Sequence, residues 1–455
     1  MAEIKKNINN LFYIFITTHL IVWTLIPSLT NNNLPLDTIE ALAWGSNLEW
    51  GFNKHPPLSA FILEIFFQIF GRQDWAYYFL SQIFVLAAFI IIYKFSIDFF
   101  RDKSLALISV LLLEGIFFYN FTTPEFNVNV CQLPFWALSI YLTWRCFKHD
   151  ELLDYIFLGI CFGLGILSKY LFVYLVIGIK LLFLYFLLKN KIKSKKFLIV
   201  GPIVLLILLP HLIWLIDNNY STIIYALKRT GESKSILNHF FYPSNFVLKQ
   251  IGILIPVLTM IFFLTKIRKF KVNLQDERFI FLFFTTILPI LLIIFTSFVM
   301  GVKIRTMWMT PFYLFVGVFL IYVFKKDFIK KIRGFYLVFL FFFVISPITY
   351  LSVSFYNDQK RTDYPGKEIA RLVQNKWDRN FKNEIMIVVG DEWYAGNLSY
   401  HLISRPKWTQ NLKNLKDIKS NEGVIYTGNP KILKEVCPGV FGEIRPVGYC
   451  MIGQK

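Results

Sequence analysis

Charge is what this sequence has least of. Asp, Glu, Lys and Arg make up 17% of its 455 residues, where a soluble domain carries about a quarter. That shortage excludes an ordinary water-soluble globule. No P-loop, GxGxxG fingerprint, zinc-ligand spacing or GxSxG elbow appears, so the sequence offers no support for nucleotide binding, a zinc centre or elbow-type hydrolysis. Repeated halves and helices broken at matching positions, the marks of a secondary transporter, are also missing. The first apolar run, about Leu11 to Leu29, lacks a small-residue cleavage site and is long enough to span a bilayer. It reads as a retained first helix rather than a cleaved signal. Cysteines are few, five in all. Cys131, Cys146 and Cys161 fall in or near apolar runs and read as inert packing residues.

Apolar residues, by contrast, are plentiful. They form 56% of the chain, Phe alone contributes 50, and the mean hydropathy is +0.52. Runs near the roughly 20 residues that a spanning helix needs centre on about residues 20, 87, 111, 138, 160, 178, 205, 257, 288, 315 and 343. The fold expected is an α-helical polytopic membrane protein with about eleven transmembrane helices. The segment Pro57 to Gly71 is apolar but short, which suits a re-entrant or interfacial helix. Residues 1–356 form the transmembrane domain in this reading. From about Asn357 the chain turns polar, and residues 357–455 are expected to form a small soluble α/β domain. There "EIMIVVGD" and "EGVIYTG" read as buried strands, and "GKEIARLVQNKW" as an amphipathic helix.

The net charge of +19 does not point to nucleic acid, because the basic residues cluster between apolar runs, as membrane topology requires. With the N-terminus inside, the inner loops hold Lys189, Lys191, Lys193, Lys195 and Lys196, then Lys266, Arg268, Lys269 and Lys271, then Lys325, Lys326, Lys330, Lys331 and Arg333. An odd helix count puts the C-terminal domain outside. The same parity gathers several ionisable residues on the outer face: Asp37, Glu40, Lys54 and His55 in one loop, Glu125 in the next, then Lys169, Lys228, Arg229, Lys303 and Arg305. Burying such residues at a membrane is costly, so they are functional candidates. Cys437 and Cys450 also fall outside, in an oxidising space. They flank a Pro/Gly-rich stretch that lets the chain turn back, which suits a disulfide.

Plainer readings exist for each signal. Asp37 with Glu40 three residues on has the spacing of a helix-capping box. Pro56 and Pro57 suit the start of a helix. Lys54 has the length to snorkel to lipid headgroups. His55 reads either as a loop residue or as a metal ligand, which leaves a divalent metal open and no cofactor assigned. Asn127 and Asn129 are weak signals, and His211, within "LLPHLIWLI", reads as a hydrogen-bonded core histidine.

The stretch "LDTIEALAWGSNLEWGFNKHPPLSAFI" resembles the first outer loop of the polytopic polyprenyl-phosphate-sugar glycosyltransferases of the GT-C fold, which include the dolichyl-phosphate-mannose protein mannosyltransferase-like and aminoarabinose lipid A transferase-like families. The shared pattern is an acidic residue soon after the first helix, a Trp-Gly segment, then a Lys/His-Pro-Pro step. "TTPEFNVNVCQLPFWAL" resembles the family's second outer loop, and "GLGILSKYLFVYL" the helix and loop that follow. "PHLIWLIDNNY", "YPGKEIARLV" and "VVGDEWYAGNLSYHLISRP" resemble a bacterial branch.

The resemblance implies a multi-pass enzyme of the bacterial inner membrane, with its active site and C-terminal domain facing the periplasm. It implies transfer of a sugar, hexose or pentose, from a polyprenyl (undecaprenyl) phosphate to an acceptor, lipid A or another envelope glycolipid, with inversion. A protein acceptor, as in the mannosyltransferase-like branch, and a lipid-linked sugar flippase are the alternatives. Asp37 is then the catalytic base for an acceptor hydroxyl, and Glu125, the second catalytic candidate, either binds the sugar or positions the acceptor beside Asp37. Lys54, Arg229, Lys303, Arg305 and Lys169 are the candidate cations for the leaving phosphate, and Glu40 and His55 the candidate substrate-binding residues.

Overall fold

A computed structural model of the chain describes residues 2–191, 195–231, 235–265, 273–324, 332–357, 359–411 and 422–455. The basic positions Lys193, Lys266, Arg268, Lys269, Lys271, Lys325, Lys326, Lys330 and Lys331 lie outside the described residues.

The apolar runs fold as helices: α1 (Ala2–Thr30), α2 (Leu36–Gly45), α3 (Leu58–Phe70), α4 (Asp74–Phe100), α5 (Lys103–Leu111), α6 (Val128–Cys131), α7 (Leu133–His149), α8 (Leu152–Ser168), α9 (Val173–Leu188), α10 (Val200–Asp217), α11 (Ser221–Thr230), α12 (Asn238–Leu264), α13 (Glu277–Leu282), α14 (Leu288–Met300), α15 (Val316–Phe324) and α16 (Ile332–Tyr356). Among the described residues, seven helical segments are long and apolar enough to cross a membrane: Asn7–Thr30, Asp74–Phe100, Tyr170–Leu188, Lys196–Asp217, Asn238–Leu264, Glu277–Met300 and Ile332–Tyr356. The runs centred near 111, 138, 160 and 315 fall on shorter helical segments. The short apolar segment after Pro57 is helix α3, with Pro57 at its N-cap.

Close helix packing follows from small residues. A Cβ on Gly159 would meet Ile203 Cβ at 2.9 Å, and one on Gly163 would meet Ile207 Cγ2 at 2.8 Å. Two glycines four residues apart thus let α8 and α10 approach closely, where in lipid packing replaces the hydrophobic drive. A buried polar contact crosses this apolar body. His19 Nδ1 on α1 meets Glu114 Oε1 at 2.7 Å, and Asn120 Nδ2 donates to Glu114 Oε2 at 3.1 Å.

The helices set out two ends. Helix α9 begins beside Lys169 and finishes beside Lys189 and Lys191, a run of about 24 Å at 1.5 Å per residue. Every candidate site residue sits at the Lys169 end. Lys195 and Lys196 lie at the other end, as does Arg333 at the start of α16, whose far end leads into the polar domain.

The C-terminal part folds as α17 (Gly366–Asn380), β1 (Ile385–Val389), α18 (Tyr394–His401), β2 (Lys407–Thr409), β3 (Gly423–Gly428), α19 (Pro430–Val436), β4 (Val440–Ile444) and β5 (Val447–Ile452). The sheet order is β2-β1-β3-β5-β4. β1 pairs parallel with β2 and β3, while β5 runs antiparallel to β3 and β4. Both strands and the helix expected from the sequence are present, and the sheet is completed by a short edge strand and a hairpin. Cys437 and Cys450 are joined in a disulfide, with their Cα atoms 5.6 Å apart.

This domain is clamped onto the segment between α1 and α4. The backbone N–H groups of Asn32 and Asn33 donate to the Thr362 carbonyl, both at 2.9 Å. Asn33 Nδ2 donates to Asn397 Oδ1 at 2.7 Å, and its Oδ1 lies 3.0 Å from His401 Nε2. Tyr400 donates to Asp74 at 2.6 Å. Arg405 donates to Glu64 Oε2 at 2.7 Å and to the Leu42 carbonyl at 2.6 Å, and its guanidinium lies 4.2 Å from the Phe67 ring centre. Helix α18 packs on α2 at Gly396, where an added Cβ would come within 3.1 Å of Ala43 Cβ and 3.2 Å of Ile39 Cγ2.

Two outcomes follow. The Arg405 and Glu64 side chains are only 13% and 8% exposed, so Arg405→Ala leaves a buried carboxylate unpaired. That costs about 3–5 kcal/mol of domain docking, read as release of a C-terminal fragment at lower protease concentration than wild type; an unchanged digestion pattern would contradict the clamp. The disulfide closes a loop of 13 residues and contributes on the order of 3 kcal/mol by chain entropy. Cys437 and Cys450 should label with a thiol reagent in denatured protein only after reduction, and labelling without reductant would contradict the bridge.

Candidate active site

Helix α2 carries two of the acidic candidates in its first two turns. Asp37 is not its cap: the N-cap is Pro35, and no side chain of that residue serves the helix. The capping role comes instead from another loop. Glu125 Oε1 accepts the Asp37 backbone N–H at 3.0 Å, and Thr38 Oγ1 donates to the Phe126 carbonyl at 3.1 Å. A carboxylate at a helix N-terminus satisfies an orphan donor and meets the positive end of the helix dipole. Glu125 therefore fastens α2 in place and leaves the Asp37 carboxyl free of a capping duty.

Asp37 then faces a cavity of about 290 Å³. Glu40, Lys54, His55, Lys169, Arg229 and Arg305 line it with Asp37, among the aromatic residues Tyr170, Tyr174, Tyr225 and Trp308. Seven of the nine residues given site roles in the sequence meet here. Glu125 stands behind Asp37 rather than on the wall. Lys303 is placed elsewhere: its Nζ lies 5.1 Å from the Tyr242 ring centre, and its backbone N–H donates to the Thr230 carbonyl at 3.2 Å.

The electrostatics of the wall follow from its geometry. Burial pushes the Asp37 carboxyl above its ordinary range, opposed by the charges of Lys169, Lys54, Arg361 and Arg229. Burial also raises Glu125, and the neighbouring Asp37 charge raises it further. Two carboxyls this close titrate as a pair. Burial raises Glu40 as well, against the hydrogen bond and charge of Lys54. Burial alone would lower Lys54, but Glu40 at 2.9 Å and Glu392 at 3.3 Å outweigh it, and its pKa is raised. Burial and the nearby Lys169, Lys54 and Arg229 charges lower His55 to about 3, so this imidazole is neutral. Among the described residues no three His, Cys, Asp or Glu side chains converge as a metal-ligand set.

Lys169 closes the inner wall, following the last residue of α8. It is 6% exposed, its Nζ donates to Asn129 Oδ1 at 2.5 Å, and it lies 5.2 Å from the Trp308 ring centre. Burial lowers it to about 7, the Asp37 charge opposing and the Arg305 charge assisting. Arg229, at the end of α11, and Arg305, just before a 3₁₀ turn over Thr306–Met309, are exposed at the rim. His211 is the hydrogen-bonded histidine expected: its Nδ1 donates to the Trp50 carbonyl and its Nε2 accepts from Tyr170, both at 2.6 Å.

Other contributors were weak signals in the sequence or were not named there. Asn127 caps α6 by accepting from the Asn129 and Val130 N–H groups, and Asn129 in turn holds Lys169. Arg361 and Glu392 come from the far end of the chain, beyond any local pattern that could have tied them to Asp37.

Comparison with known proteins follows the same lines. Residues 54–214 match the family model of dolichyl-phosphate-mannose-protein mannosyltransferase. No curated protein matches the sequence. Among solved structures, ArnT from Cupriavidus metallidurans bound to undecaprenyl phosphate superposes with a TM-score of 0.65 at 11% identity, over 97% of this chain and 98% of that one. The apo form of ArnT gives 0.64 at 11% identity, with the same coverage. The archaeal oligosaccharyltransferase AglB from Archaeoglobus fulgidus, solved with an inhibitory peptide and a dolichol-phosphate, is a looser match: TM-score 0.45 at 13% identity, over 87% of this chain and 64% of that one. The fold is thus the GT-C fold of ArnT, with a small C-terminal sheet domain. With its apolar spans, this is the architecture of a polytopic membrane protein.

The two lysines of the cavity differ in one testable respect. At pH 7 roughly half of Lys169 is the neutral, nucleophilic amine, while Lys54 stays protonated. Limited acetylation at pH 7 should therefore modify Lys169 ahead of the more exposed Lys54, as peptide mass spectrometry will show. Preferential modification of Lys54 would contradict this assignment.

Proposed function

We propose that the protein transfers a sugar from a polyprenyl phosphate, undecaprenyl phosphate in a bacterium, to an acceptor at the outer face of the cytoplasmic membrane. Residues 357–455 form an extracytoplasmic domain in this reading, and the cavity opens to the periplasm. One observation carries the proposal. Asp37, with Glu125 behind it, shares a single cavity with Lys54, Lys169, Arg229 and Arg305, at the end of the helices opposite Lys189, Lys191, Lys196 and Arg333.

The chemistry suits that arrangement. An acceptor hydroxyl placed against Asp37 gives up its proton to the carboxylate, whose raised pKa makes it a stronger base than an exposed Asp. The acceptor oxygen bonds to the anomeric carbon as the carbon–oxygen bond to phosphate breaks. The electron pair leaves with the polyprenyl phosphate, whose growing negative charge the lysines and arginines stabilise at a low-dielectric boundary. Arg229 and Arg305 offer the fork geometry that grips phosphate with two bonds. Attack from the Asp37 side, with departure toward the cations, inverts the anomeric centre. Where the acceptor is itself a phosphate, no strong base is needed and Asp37 orients it. A lipid such as lipid A is the acceptor that the likeness to ArnT favours, and the mannosyltransferase segment makes a protein hydroxyl the alternative.

The test is mass spectrometry of lipid A, other glycolipids and envelope proteins from a strain lacking the chain. One pentose or hexose should be missing from one class of molecule and restored by the wild-type gene. Asp37→Asn, which keeps the volume and removes the charge, should lower transfer at least about a hundredfold, the range that general base catalysis supplies. Near-normal transfer by a folded Asp37→Asn would overturn the assignment of Asp37.

A further inference from the structure

The Lys54 ammonium does not stand free in the cavity. It is held between two carboxylates from different parts of the chain. Glu40 of α2 lies at 2.9 Å and Glu392, which precedes α18, at 3.3 Å. All three side chains are mostly buried, 23% exposed for Lys54 and 13% for each glutamate. The position of Glu392 is built rather than incidental. Asp391 Oδ1 accepts the N–H groups of Trp393 and Tyr394, both at 2.8 Å. The helix that follows is pressed onto α2 at Gly396. The contact that brings Glu392 to Lys54 is therefore the one that holds Asp37 and Glu40.

A lysine meant only to bind phosphate gains nothing from a second carboxylate. The extra negative charge offsets part of the field that Lys54 presents to an anion, and this partly buried place screens it weakly. That is a cost for binding and an advantage for turnover, because the lipid phosphate released by transfer carries more negative charge than the donor and must leave.

Resting on the glycosyltransferase reading above, we propose that Glu392, supplied by the soluble domain, is a positioning residue that restrains Lys54 and weakens the site's hold on the polyprenyl phosphate product. It touches neither reacting atom and acts through Lys54. Neutralising Glu392 must then tighten lipid-phosphate binding, whereas damage to the domain interface would loosen it.

The experiment measures undecaprenyl phosphate binding to the full-length protein in detergent, with thermal unfolding as the check on folding. Glu392→Gln should bind about three- to tenfold more tightly than wild type, the effect of losing one partly exposed charge at ion-pair distance. Glu392→Asp, which keeps the charge, should stay within about twofold. In a Lys54→Ala background the Gln substitution should change nothing further, since the coupling runs through that ammonium. Glu443→Gln, in the exposed pair with Arg445 on the same sheet, serves as the control and should bind as wild type.

Unchanged or weakened binding by folded Glu392→Gln would overturn the inference, as would equal tightening in the Lys54→Ala background. Should Glu392→Gln not fold, Glu392→Ser takes its place; if neither neutral variant folds, the residue is structural and the inference falls. Failure of the underlying reading looks different: wild type and Lys54→Ala would then bind the lipid phosphate equally.

Discussion

Everything at the cavity depends on how α2 is held. The helix is only ten residues long, too short to be stable on its own in water, and its position comes from its neighbours. Glu125 caps its start from the 117–128 loop, Arg405 binds its Leu42 carbonyl, and α18 lies against its flank at Gly396. Asp37 and Glu40 inherit their aim from these contacts. A site built this way draws on both the membrane helices and the sheet domain. The sheet domain is a wall of the construction, because its docking fixes the helix that carries the acidic groups.

The cavity balances charge rather than presenting one sign. Carboxyls at Asp37, Glu125, Glu40 and Glu392 interleave with ammonium and guanidinium groups at Lys54, Lys169, Arg229, Arg305 and Arg361. Burial makes each of these costly alone, and neighbouring opposite charges reduce the cost. It also separates their behaviour. Lys54, between two carboxylates, keeps its proton, while burial and the nearby Arg305 charge lower Lys169 to about 7 against the pull of Asp37. Two lysines about the same cavity thus differ in acidity through their burial and their charged neighbours.

Much of this was legible in the sequence, for a physical reason. Apolar runs of spanning length have few alternatives to helix in lipid, because every backbone group must be satisfied within the segment. The helical body and the polar C-terminal domain could therefore be read directly. Asp37, Lys54 and Lys169 stood out because charged residues beside long apolar runs are rare. Three features resisted. The capping-box spacing of Asp37 and Glu40 pointed to the wrong cap, since the acceptor that serves α2 is Glu125, 88 positions away. Lys303 shared a basic loop with Arg305, yet its ammonium lies against the Tyr242 ring while Arg305 lines the cavity. Glu392 pairs with Lys54 and Arg361 bears on the Asp37 charge only through docking of the sheet domain, and contacts at such sequence separation leave no local pattern.

The claim on which the account turns is that the cavity recognises the phosphate of a long-chain lipid. Trp308 on its wall makes this measurable by intrinsic fluorescence, with undecaprenyl phosphate compared against undecaprenol, which has the same chain without the charge. The account predicts a saturable change with the phosphate lipid, at least about tenfold weaker with the alcohol, since charge-assisted hydrogen bonds are the strong ones, and its loss in Trp308→Phe. Equal responses to the two lipids would contradict it.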